Sequence, residues 1–277
     1  MKTIRSILTL PAVMLLCVAI VLPSCKGKTD TGASRDISVD ESELSKDYAI
    51  RDVSEYPLPT AFEVTKLLNE AGAGYIFDIC NRVESVDKYI TMQSKALNLG
   101  VYGADLSYAA TYNQSQETMQ YLQVSSQLID ELQISSGFNR DLVERVERNI
   151  DIVDSLIVII SDSFYDTYRH LQQNNQDELS VLVMAGSWIE AIFITSQIAL
   201  TSQNNEEIKK IIASQDPSLT KLLEIMEPVK ADEKIGGLLT ELQKIKDIFD
   251  AAGDMLDDDQ LEELVGITDD LRTGIVS

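Results

Sequence analysis

An all-α fold, a multi-helix bundle of mostly antiparallel helices behind a disordered N-terminal tether, is what this 277-residue sequence predicts. Three observations lead there. Apolar residues recur at three- and four-residue steps over long stretches, the period of an amphipathic helix. No proline stands between Pro59 and Pro217, and proline is the residue that interrupts helices. No window alternates apolar and polar residues with period two, and the Asn-Gly and Asp-Gly pairs that turn hairpins are missing.

The chain opens with Lys2 and Arg5 ahead of an apolar run from Ile7 to Leu22. A basic start, a short apolar core and small residues at the exit describe an export signal. The core is shorter than the roughly 20 residues of a spanning helix, and Pro11 weakens it as a permanent anchor. Residues 1–24 are therefore read as a signal peptide. Residues 26–55 are polar and poor in aromatics, so 25–55 reads as a flexible tether with a reach of roughly 30 Å. Residues 56–277 form the expected single helical-bundle domain.

Leu22-Pro23-Ser24-Cys25 resembles the lipobox of bacterial lipoproteins: an aliphatic residue three before the cysteine, a small residue just before it, and the cysteine itself. The resemblance covers the first 25 residues or so. It implies that the Cys25 thiol receives a diacylglyceryl group and that a peptidase cuts before it. The expected localisation is the bacterial cell envelope, at the outer membrane, with the periplasmic or surface-exposed face left open. A plain secretory signal and an uncleaved anchor are the competing readings. Two or more acyl chains give a stable anchor where one binds only marginally. The stretch 97–118 is also similar to lipoproteins of Bacteroidetes-type bacteria, a resemblance that implies no activity.

The net charge of −22 repels nucleic acid and anionic headgroups, which excludes both as partners. Cys17 and Cys25 lie at the leader, so Cys80 is the thiol of the folded part. In its apolar setting "YIFDIC" it reads as a small buried hydrophobe.

The body begins at "YPLPTAFEV", where Thr60 and Glu63 make a capping box. Helices are expected near 60–71, 74–81, 85–98, 99–113, 115–133, 138–173, 176–202, 205–214, 217–227, 235–252 and 257–272. Gly72 and Gly253 suit helix ends, and Pro217 and Asp257 suit helix starts. The seam from Leu142 to Leu171 predicts one helix of roughly 45 Å. Met119, Leu122, Leu128 and Leu132 turn inward on the helix before it. "DDDQLEE" at 257–263 lacks the glycine and the alternate oxygens of an EF-hand loop; Asp257 as an N-cap explains it. Asp166 and His170 are placed to pair on the long helix.

Two places carry candidate ligand-binding residues. "LSVLVMAGSWIEAIFITSQIAL" at 179–200 is apolar almost all round and reads as the central helix, with a membrane span as the alternative. Ser180, Ser187, Glu190 and Gln197 form a polar stripe on it. Glu190 there either lines a pocket or pairs with an arginine or tyrosine, because a bare buried carboxylate is costly. In 97–118, Gly100, Gly103, Ala104, Ser107 and Ala110 make a small-residue face for close packing. Tyr102, Asp105, Tyr108 and Tyr112 stand on the other sides, with Tyr121 on the next helix; they read either as half-buried bundle residues or as a set able to hold a small ligand by ring faces and hydroxyls.

Catalytic signatures are missing: there is one histidine, and no G-x-S-x-G, P-loop or G-x-G-x-x-G. No metal or cofactor is expected. The sequence favours a membrane-anchored, non-catalytic binding or scaffolding module whose partner is an envelope protein or a small ligand. An enzyme of unfamiliar type with a pocket around Glu190 or Asp105 is one alternative. An outer-membrane assembly or spacer factor is the other.

Overall fold

A computed structural model describes residues 61–134, 136–202 and 205–277. The expected signal peptide, Cys25, the tether and the Thr60 cap lie outside these residues. All regular elements among the described residues are helical. In chain order they are α1 (Ala61–Glu70), α2 (Met92–Thr111), α3 (Ser115–Glu131), α4 (Ser136–Arg148), α5 (Val153–Gln173), α6 (Asp177–Thr201), α7 (Glu206–Ala213), α8 (Asp216–Met226), α9 (Glu233–Ala252) and α10 (Asp258–Val276), with 3-10 turns at Val83–Lys88 and Glu227–Val229. The all-α expectation holds.

The core is built on α2 and α6. Helix α6 is 94% buried over its most apolar window, so the run that could span a membrane by length is enclosed by its own neighbours. It packs most extensively on α2, and also touches α1, α5, α7, α8 and α10. Gly100 and Gly186 set the distance between the central pair. A Cβ built on Gly100 would lie 2.1 Å from the Val183 carbonyl oxygen, and one on Gly186 would lie 2.0 Å from that of Leu97. The two backbones therefore touch, which only glycine permits. Ala104 meets Ala191 further along, so the register advances the same way on both helices and the pair is parallel. Three helices separate them in the chain, which turns direction an even number of times. At Gly103 the vacant space is filled by the Phe164 ring of α5. The small-residue face is a packing device, as its composition suggested.

Helix ends follow their local chemistry. Asp257 accepts from Gln260 N at 2.8 Å while Gln260 Oε1 accepts from Asp257 N at 2.9 Å, a reciprocal cap. Asp232 caps α9 through Lys234 N and Ile235 N. Gly253 ends α9 at φ +64°, where a side chain would be strained.

Four expectations are corrected. Residues 74–81 are not a helix but part of an irregular strap, with Asp78 at positive φ and Gly72 at positive φ just before them. Residues 85–113 are not two helices meeting at 98/99. A 3-10 turn precedes one uninterrupted α2, because Thr91 and Ser94 form a capping box that starts it late and Gly100 packs rather than breaks. The 138–173 helix is two, α4 and α5. At the break, Asn149 turns its side-chain amide back to the Arg145 carbonyl at 2.8 Å, and such local bonds compete with helix continuation. Asp166 pairs with Arg169 rather than His170.

Candidate functional site

The strap, residues 71–82, runs across α2 and is held there by side chains. The Ile76 amide donates to Tyr108 Oη at 2.8 Å, and Tyr102 Oη donates to the Arg82 carbonyl at 2.8 Å. The Asn81 amide donates to Asp105 Oδ2 at 3.1 Å, and Arg272 Nη2 donates to the Ile79 carbonyl at 3.1 Å. The strap is buried only at Cys80 and Asn81, and where its irregular backbone turns inward it must find partners, which α2 and α10 supply.

Helix α10 runs antiparallel to α2, which brings its last turns over the strap. Asn98 Nδ2 donates to the Ile275 carbonyl at 3.0 Å. Tyr89 Oη, which accepts from Asn81 Nδ2 at 2.9 Å, donates to the Val276 carbonyl at 3.4 Å. These bonds satisfy orphan carbonyls at the end of the helix.

Asp105 and Glu190, read from the sequence on two separate helices, meet in the interior; both are 0% exposed. Glu190 accepts from Arg272 Nε at 3.0 Å and 2.9 Å, one bond to each carboxylate oxygen. The guanidinium lies 4.3 Å from the centre of the Phe193 ring, a cation–π contact that helps a partly desolvated charge. Burial pushes the Glu190 carboxyl up, and Arg272 pulls against it. Burial, followed by the neighbouring Glu190, raises Asp105 well above the ordinary carboxylate range. Cys80 is buried beside them; desolvation, then Asp105 and Glu190, push its thiol up. A raised thiol pKa is the opposite of what a nucleophilic cysteine needs, which fits its sequence reading as a small buried hydrophobe.

The tyrosines divide into two groups along α2. Tyr102 leans on Tyr89 and Tyr121, with ring centres 6.2 Å and 6.3 Å away. Tyr108 stacks on Tyr75 at 4.6 Å, and Tyr112 closes that group at 5.0 Å from Tyr108. Burial raises the Tyr112 hydroxyl to about 12. Tyr75 donates to Glu117. Tyr102, Asp105, Tyr108 and Tyr112 are thus brought to one face of α2; the first three are engaged with the chain's own strap, while the Tyr112 hydroxyl is buried without a partner among the described residues.

Sequence reading missed Arg272, Asn81 and the strap. The signal for Arg272 was the need of Glu190 for a cation, with Arg272 the lone base on its helix.

A separate open groove lies between the N-terminal half of α9 and the C-terminal half of α10. Its floor is Leu238, Leu271 and Ile275, and its rim carries four acids, Asp232, Glu233, Glu241 and Asp270, with one cation, Lys234. No group of His, Cys, Asp and Glu with metal-ligand geometry occurs among the described residues. Comparison of the chain with protein-family models, curated proteins and solved structures finds no match.

Proposed function

We propose that this chain is a lipid-anchored, non-catalytic binding or scaffolding module of the bacterial cell envelope, held at the outer membrane through Cys25. The observation that carries the non-catalytic part is the use of Tyr102, Asp105, Tyr108 and Glu190. Each spends hydrogen bonds on the chain's own strap or on Arg272. An enzyme working at Glu190 would need that carboxylate released from Arg272 first. The leader chemistry of Leu22 to Cys25 supports the address. The groove between α9 and α10, whose rim holds four acids against the single cation Lys234, supports a partner with a basic helical segment whose cations meet those acids.

One preparation tests both parts. The full chain purified from bacterial membranes is expected to begin at a lipid-modified Cys25 by mass spectrometry. Cys25 bare, or still joined to Ser24, contradicts the address. The same material is expected to bind a labelled Lys/Leu helical peptide in fluorescence anisotropy at physiological salt. Reversing the rim with Glu233→Lys and Asp270→Lys should weaken binding by about tenfold or more, since each close ion pair at a partly desolvated rim is worth up to about 1 kcal/mol. Reversing Glu144 and Glu147 on α4 to lysine should not. Equal losses from both pairs would show generic charge attraction and sink the groove reading.

A further inference from the structure

The interior around Asp105 has a charge imbalance. Two fully buried carboxyl groups, Asp105 and Glu190, face one cation, Arg272. Arg272 spends its Nε on both oxygens of Glu190 and its Nη2 on the strap. Asp105 Oδ2 accepts from the Asn81 amide, while its Oδ1 is buried with no donor among the described residues. An ionised Asp105 would therefore be a second buried anion with only the Asn81 amide, the Cys80 thiol and a guanidinium already bonded to Glu190 to offset it, a costly thing for an interior to hold. A proton on Oδ1 removes the charge and turns the orphan atom into a donor toward Glu190.

We infer that Asp105 and Glu190 share one proton in the folded chain, and that this proton latches the strap 71–82 onto the bundle. The groups facing Asp105 come from every side: Cys80 on the strap, Tyr89 after the 3-10 turn, Tyr102 on its own helix, Tyr121 on α3, Glu190 on α6 and Arg272 on α10. Arg272 alone is positive, and the thiol and phenols are neutral at moderate pH. None can supply the missing counter-charge. The raised carboxyl pKa of Asp105 agrees in direction.

The sign of the pH effect follows. A carboxyl whose folded pKa lies above its unfolded value of about 3.9 binds an extra proton in the folded state. Its contribution is fully present below the unfolded pKa and is lost as pH rises through the folded one. Losing the proton places a second anion against Glu190 in the interior; the Asn81 amide still favours that anion, so what drives the strap off is the hydration the two carboxylates gain once water reaches them. The strap is then a proton-released element that uncovers Cys80, Tyr102 and Tyr108. This inference does not depend on the function proposed above.

Hydrogen exchange of the full chain, read on peptides covering 76–82 and corrected for intrinsic rate, tests it between pH 5 and pH 9. One proton released per opening lowers protection by up to about tenfold per pH unit. That fall is expected in the wild type within this window. Asp105→Asn supplies the same donor without a titrating proton, and Glu190→Gln removes the second charge, so either variant should make protection independent of pH. Protection that is flat in the wild type overturns the inference. So does a wild-type slope that persists in both variants. Failure of both isosteres to fold also counts against it, because each is shaped to keep the hydrogen bond.

Discussion

Gly186→Ala is expected to lower stability by about 3 kcal/mol or more, although alanine favours a helix over glycine by about 1 kcal/mol. The new methyl would stand 2.0 Å from the Leu97 carbonyl oxygen. That atom is backbone, so α2 and α6 must separate along their whole contact. Gly100→Ala should behave the same way against Val183. Gly103→Ala should cost less, about 1–2 kcal/mol, because the Phe164 ring it meets is the far end of a side chain and can swing. Gly266→Ala on α10 meets nothing within 4 Å and should gain up to about 1 kcal/mol. Denaturant unfolding of the four variants reads the order directly. A Gly186→Ala protein as stable as wild type would mean that the two central helices are not in backbone contact.

Arg272→Met should cost about 3–5 kcal/mol at neutral pH, the usual effect of stranding a buried ion. Glu190 would lose both hydrogen bonds, and Ile79 would lose its donor. Arg272→Lys should recover only part. A lysine cannot span Glu190 and Ile79 together while lying flat over Phe193. The pH dependence carries a sign. Without the guanidinium both carboxyls have raised folded pKa values, so Arg272→Met should regain stability as pH falls toward the unfolded carboxyl range. Adding Glu190→Gln to Arg272→Met should restore much of the loss at neutral pH. An additive double-variant cycle would show that the two residues do not act as a pair.

What the sequence revealed and what it concealed divide by distance along the chain. Helix α6 was legible because its apolar run is local and long. The Asp257 cap and the Gly253 stop were legible because a cap is written within four residues. Glu190 was legible as a demanding residue, since a carboxyl among apolar neighbours must be satisfied somewhere, and Asp105 as the acid among the α2 tyrosines. Where it is satisfied was not legible. The strap residues "YIFDIC" carry a helical pattern, yet their backbone is claimed by side chains 32 and 193 positions away, Tyr108 and Arg272. No local rule reports such bonds. The long seam from Leu142 to Leu171 misled for a related reason. Its apolar period continues across residues 149–152, while the Asn149 side chain turns the backbone out of the helix.

The polar residues of α2 and α10 serve the chain's own strap, and two backbone amides report on this. Ile76 and Asn81 sit in an irregular segment, and their hydrogens go to Tyr108 and Asp105. Residue-resolved amide exchange at pH 5 should find both nearly as slow as amides in the middle of α6, opening only with most of the bundle. Exchange at the rate of a solvated loop would show that these side chains are not holding the strap and are available for something else.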